Sequence, residues 1–200
     1  MKPRILMVLM LLLCNCRTAD QSQGVLPQTG KPVEVFFSPR GGCTEAVVHE
    51  LNGARASIFI QAYSFTSAPI AKAIIDAAKR GVKVEAVLDR SNRTDKYSAA
   101  TFLRNQACDV RIDAKHAIAH NKIMIIDERV VLTGSFNFTK QAEDSNAENL
   151  LVFRGNPDLV AKYLANFRLH QAHSEPYDGP TATDEVQERP AKPARSRQRR

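Results

Sequence analysis

The chain has 200 residues, 28 Lys+Arg against 21 Asp+Glu, four cysteines and a hydrophobic share of 44%. That size accommodates one domain with tails and a packed core that needs neither disulfides nor metals. The composition excludes a collagen, a coiled coil, a fully disordered chain and a polytopic membrane protein. The net charge of +7 leaves the middle of the chain mildly basic, with nineteen bases against fifteen acids over residues 26–174, which suits either a polyanionic partner or plain solubility.

Lys2 and Arg4 precede an apolar run at residues 5–13. As a helix that run spans about 13 Å, too short for a bilayer core of roughly 30 Å. A basic flank and a short apolar stretch read as a secretory signal over residues 1–16, which places the protein in the periplasm or outside the cell. Either the chain is cleaved after Cys16, or Cys14 or Cys16 carries a lipid. Residues 17–31 read as a polar linker. In an oxidising compartment Cys43 and Cys108 either pair or stay as two separate buried thiols.

A catalytic-size domain is expected over residues 32–174. Strands are predicted at residues 33–37, 57–63, 82–88, 109–112, 122–127, 130–133 and 149–153. A tight turn at Asp127, Glu128 and Arg129 joins the fifth and sixth of these. Ser67 can cap a helix with Pro69 in its first turn, with Ile70, Ala73, Ile74 and Ala77 inward, Lys72, Asp76 and Lys79 outward and Gly81 as its stop. Further helices are expected at 98–107 and from Asn156-Pro157 to about His170, the latter with Leu159, Tyr163, Leu164 and Phe167 on its inner side. No internal repeat is evident. The alternation argues for an α/β fold: one domain with a mixed, mostly buried β-sheet flanked by helices on both faces. From residue 175 the apolar pattern dissolves, so 175–200 reads as a disordered tail. Its basic end, with Arg195, Arg197, Arg199 and Arg200, either grips phosphates nonspecifically or is simply solvated.

Residues 120–137 gather the chemistry. His120 and Lys122 are two apart on a strand, so they share a face. Asp127 closes that strand, Gly134 and Ser135 follow the next, and Asn137 lies two further on. A hairpin can thus bring an imidazole, an ammonium, a hydroxyl and an amide to one sheet edge. Attack on a phosphodiester needs such a set: a nucleophile, cations and donors for the non-bridging oxygens, and an acid for the leaving alcohol. Histidine serves either role near neutral pH. No metal or other cofactor need be invoked. Taken singly, these residues have plainer readings: Gly134-Ser135 a turn and Glu148 a solvated charge. Lys140 either contacts phosphate or is a surface lysine, and Tyr63, Ser64 and Phe65 either line the substrate groove or end a core strand. His116 falls in the loop leading to His120.

The spacing resembles the phospholipase D superfamily signature, His-x-Lys-x4-Asp-x6-Gly-Ser-x-Asn, without a departure from His120 to Asn137. A chance match in a chain of this length is on the order of one in several hundred thousand. The resemblance spans roughly residues 33–167. It is similar in particular to the small bacterial secreted or plasmid-encoded endonucleases of that superfamily, through Phe36-Phe37-Ser38-Pro39, Ala62-Tyr63-Ser64-Phe65-Thr66, Gly134-Ser135-Phe136-Asn137-Phe138-Thr139 and Asn146-Ala147-Glu148-Asn149. The resemblance implies a phosphohistidine intermediate on His120, with Lys122, Ser135 and Asn137 binding the phosphate and Glu148 orienting the imidazole. It implies a structural or electrostatic part for Asp127. Larger members carry two copies of the signature and this chain carries one, which implies a homodimer whose two subunits pair His120, Lys122 and Asn137 across an isologous interface. Three functions are then in competition: a metal-independent nonspecific endonuclease acting on DNA or RNA, a hydrolase of phospholipid head groups, and a noncatalytic nucleic-acid-binding protein.

Overall fold

The computed structural model describes residues 32–179. The expected signal, the linker and the tail beyond 179 lie outside the described residues. Within them the chain forms β1 (Val33–Ser38), α1 (Cys43–Gly53), β2 (Ser57–Ala62), α2 (Ala68–Lys79), β3 (Lys83–Asp89), α3 (Ala99–Arg104), β4 (Asp109–Asp113), β5 (Lys122–Ile126), β6 (Val130–Gly134), α4 (Lys140–Asp144), β7 (Glu148–Arg154), α5 (Pro157–His173) and β8 (Glu175–Pro176), with a 3-10 turn at Arg90–Arg93.

The strands build one mixed sheet in the order β1-β7-β6-β5-β2-β3-β4-β8. β2, β3 and β4 run parallel, with α2 and α3 as their crossovers, and the remaining pairings are antiparallel. The central strands carry apolar residues on both sides because both faces are covered. On one face Ile58, Ile60, Leu88, Met124 and Leu132 pack with Val47 and Leu51 of α1 and Ile70 and Ile74 of α2. On the other, Phe59, Val87, Ile123, Ile125 and Val131 pack with Val160 and Phe167 of α5. Burying each such side chain stabilises the fold by roughly 1.5–3 kcal/mol.

Local chemistry sets the boundaries. Ser67 precedes α2 but its side chain makes no cap bond. The element is anchored instead through the backbone, where Ser67 N donates to Phe138 O at 2.9 Å. Asn156 does cap α5, its side chain accepting from Leu159 N at 3.0 Å. α5 runs three residues beyond the expected His170. α1 was not expected at all. Its buried stripe of Cys43, Val47 and Leu51 offers about one apolar contact per turn. Its N-terminal amides are capped by a remote carboxylate, with Thr44 N donating to Glu143 Oε2 at 2.7 Å.

The boundary placed at 174 falls short. Glu175–Pro176 pair with β4, and Tyr177 is buried with its hydroxyl 2.8 Å from Thr101 Oγ1. Residues 175–179 therefore belong to the domain. Cys43 and Cys108 are free and buried. Burial, with Glu143 next in effect, pushes the Cys43 thiol up to about 11, and burial raises Cys108 as well.

Candidate phosphodiesterase site

Strand register decides what meets what. Ala62 at the end of β2 pairs with Lys122 at the start of β5. Gly134 at the end of β6 pairs with Leu150, and Ser38 at the end of β1 pairs with Glu148 at the start of β7. One edge of the sheet therefore collects Tyr63, His120, Lys122, Ser135, Asn137 and Glu148. Asp127 is at the opposite edge, where Ile126 pairs with Ile58 and Val130.

His120 is exposed and Lys122 is buried, at 6% of its free surface. Lys122 Nζ donates to the His120 carbonyl at 2.8 Å and lies 5.1 Å from the Tyr63 ring centre. The Tyr63 ring packs on the His120 imidazole with centroids 4.7 Å apart. Burial depresses the Lys122 ammonium below the usual lysine range, and the Glu148 charge opposes that shift. The ammonium thus keeps spare donors and little hydration, conditions that strengthen a hydrogen bond to an anionic oxygen, while the Glu148 charge opposes its loss of a proton. Of the three residues whose role was open, Tyr63 contacts the site, whereas Phe65 is core, stacked edge-on to Phe138.

The loop carrying His120 is fastened by buried carboxylates. Asp89 Oδ2 accepts from Ala119 N at 2.7 Å, and Asp89 Oδ1 accepts from Ser91 N and Oγ. Asp113, beside Asp89 in the sheet, accepts from Lys115 N through Oδ1 at 3.1 Å. Tyr63 N donates to Asn121 O at 2.8 Å. These anchors are absent from the signature and were missed, although each aspartate stands at the last residue of a strand.

The second half of the signature is held by β7. Asn149 Oδ1 accepts from Ser135 N at 2.9 Å, and Asn149 N donates to Ser135 Oγ at 3.0 Å. The Ser135 hydroxyl therefore spends a lone pair on the turn and retains its proton for a ligand. Gly134 takes φ +149°, and a Cβ there would stand 2.2 Å from Asn149 O, so only glycine fits. Asn137 Oδ1 is buried and has no hydrogen-bond partner among the described residues. Glu148 accepts from Asn146 Nδ2 at 3.1 Å. Among the described residues no hydrogen bond joins Glu148 to His120, and within the subunit the packing of Tyr63 orients the imidazole.

Asp127 is an architectural residue. Its carboxylate accepts from the backbone N–H groups of Arg55, Ala56 and Ser57 at 2.7–3.2 Å. It does not approach His120. Lys140 is an exposed surface lysine 4.0 Å from Asp144. An open cleft of about 370 Å³ fronts the site, and Lys162, Tyr163 and Asn166 of α5 complete its wall with His120, Lys122 and Gly134. Lys162 adds a cation that sequence reasoning missed. It is an ordinary exposed residue of an amphipathic helix until the fold lays it beside the signature.

Comparison with known proteins accords with this geometry. The family described as cardiolipin synthase, PLD-like domain matches residues 47–170. A phospholipase D of Rickettsia conorii is 44% identical over 135 residues, covering 68% of this chain and 67% of that protein. The crystal structure of Nuc from Salmonella typhimurium, a phospholipase D family member, superimposes with a TM-score of 0.70 at 37% identity, covering 72% of this chain and 97% of that one. NucT from Helicobacter pylori gives a TM-score of 0.68 at 27% identity, covering 72% and 98%. The chain belongs to the phospholipase D superfamily, among its phosphodiester hydrolases.

Proposed function

We propose that the protein is a metal-independent nonspecific endonuclease whose catalytic centre is shared by two identical subunits. The exposed His120 imidazole, seated on Tyr63 and beside a dehydrated Lys122, is the observation that carries this reading. An imidazole nitrogen of His120 attacks phosphorus, and the bond from phosphorus to the leaving oxygen breaks. His120 of the partner subunit gives its proton to that oxygen. It then takes a proton from the water that attacks the phosphohistidine, which returns His120 free. Lys122 and the Asn137 amide hold the non-bridging oxygens, with the Ser135 proton as a further donor. Glu148 supplies negative charge beside Lys122 and orients an imidazole in the assembled dimer.

The outer row of Val33, Val35 and Phe37 on edge strand β1, with Phe37 64% exposed beside the Ser38–Glu148 pair, supports a site completed from outside the subunit. A nuclease that reads no sequence needs only backbone contacts. The open cleft and the cations Lys122 and Lys162 suit a phosphate backbone. The name of the 44% identical Rickettsia relative favours the second reading, hydrolysis of phospholipid head groups. Incubation with plasmid DNA and RNA in excess EDTA, and in parallel with phosphatidylcholine and cardiolipin vesicles, tests both. The proposal expects nicking in EDTA that His120→Ala abolishes. Head-group release without nicking establishes the lipid reading. Retention of DNA without turnover of any diester establishes a noncatalytic binder.

A further inference from the structure

Four residues before His120, a second cluster stands apart from the phosphodiesterase site. Asp113 ends β4, His116 is in the loop behind it, and His170 and His173 lie on the last turn of α5. The Asp113 side chain is fully buried. Three imidazoles meet its carboxylate: Oδ2 lies 2.7 Å from His170 Nδ1 and 3.3 Å from His173 Nε2, and His116 Nδ1 lies between the two oxygens, 2.9 Å from Oδ2 and 3.1 Å from Oδ1. The rings also pack on one another, with centroids 4.7–5.3 Å apart.

Four atoms able to ligate a metal thus meet around one buried carboxylate, and a shared cation would engage them together. Charging all three rings instead would crowd three cations around one anion. Tetrahedral bonds of roughly 2.0–2.1 Å place neighbouring ligand atoms about 3.3 Å apart, and the four candidate ligand atoms already lie within 4.8 Å of one another. The supporting bonds have the right sense as well. Asp113 Oδ1 accepts from Lys115 N at 3.1 Å, which fixes the carboxylate with Oδ2 toward His170 and His173. Ser174 Oγ donates to His170 O at 2.7 Å and fixes the helix end.

We propose that Asp113, His116, His170 and His173 form a structural site for one divalent transition metal of the zinc class. Three imidazoles and one carboxylate are a donor set that zinc accepts. The site joins β4, the loop that carries His120 and the C-terminal end of α5. Its ligands come in two pairs, Asp-x-x-His and His-x-x-His, separated by 53 residues of sequence between His116 and His170. The metal is a fastener distinct from the reacting centre: His120, Lys122 and Asn137 are not among its ligands.

The full chain, stripped with a chelator that is then removed, is titrated with zinc and separately with cobalt(II). One equivalent of zinc is expected to bind per chain and raise the melting temperature. Cobalt(II) is expected to give the intense visible absorption of a four-coordinate ion. In the double variant His170→Gln, His173→Gln, affinity should fall by about 100-fold or more. The zinc-induced rise in melting temperature should disappear, while the metal-free variant keeps the circular dichroism of the metal-free parent. If the double variant fails to fold, His116→Gln, on the exposed side of the cluster, carries the same test. No uptake by the parent, or uptake and melting shifts that survive these substitutions, would overturn the proposal.

Discussion

The two ends of β5 share one signature and divide its labour. At the starting end, His120 is exposed and Lys122 is dehydrated with donors to spare. At the finishing end, the Asp127 carboxylate is committed to backbone amides that open β2. Residues at invariant spacing thus serve different purposes. Those left incompletely bonded are the ones we assign to the chemistry, and those fully bonded hold the register that brings the others together.

That division can be broken experimentally, beginning where the effect is greatest. His120→Ala should lower kcat by about 10⁴-fold or more with an unchanged melting temperature, since it removes the attacking atom. A digest quenched in alkali and denaturant, which preserve the phosphorus–nitrogen bond, should carry a phosphoryl adduct on His120 in the parent and none in the variant. Lys122→Met should cost about 10²–10³-fold in kcat by removing a charge that stabilises the transition state. It should leave stability intact or raised, because a buried ammonium disappears.

Acid behaviour sharpens the separation between chemistry and folding. Glu85 on β3 is buried against Lys83 and against Arg168 and Gln171 of α5. Burial alone would raise its carboxyl, but hydrogen bonds from Lys83, Gln171 and Arg168 outweigh burial and hold it at about 2, against an ordinary 4.5. A carboxyl depressed in the folded state gives its full stabilisation above the unfolded value, and that stabilisation fades as pH falls through the folded one. The stabilisation that Glu85 gives is therefore complete at neutral pH and is lost as pH falls from about 4.5 to about 2. Denaturant titrations of Glu85→Gln should be flatter across that window than those of the parent. Activity lost at higher pH then reports the catalytic groups rather than unfolding.

At the architectural end, Asp127→Ala should cost about 1–3 kcal/mol of stability by orphaning three amides, with kcat of the remaining folded protein within a few-fold of the parent. Chemical denaturation and initial rates on the same sample measure both. The smallest effect is beside it. Asp127 and Glu128 take φ of 52° and 51° in the β5–β6 turn. Aspartate tolerates that conformation better than glutamate, so Glu128→Gly should stabilise the protein by about 0.5–1 kcal/mol without altering catalysis.

What could be read before the fold was known follows the same physical line. The strands announced themselves because runs such as Ile123, Met124, Ile125 and Ile126 can only be buried on both sides. The signature announced itself because its spacing is fixed by a hairpin. Features made by distant residues stayed hidden. α1 takes its cap from Glu143, β8 exists only by pairing with β4, and Lys162 reaches the cleft only once α5 docks. The Asp113 cluster unites residues from both halves of the domain. The likeness of His120 to His116, His170 and His173 as letters conceals different wiring: among the described residues of one subunit the first has no hydrogen bond to a carboxylate, and the others surround one.

The central claim is that a single subunit does not own a complete centre. Wild-type and His120→Ala subunits carrying different affinity tags can be co-expressed and the mixed dimer isolated through both tags. Nicking by the mixed dimer should fall to the level of the doubly substituted dimer, because one imidazole must attack while the other protonates the leaving oxygen. A mixed dimer retaining about half the parental activity, as two independent centres require, or a fully active monomer in sedimentation, would contradict the account.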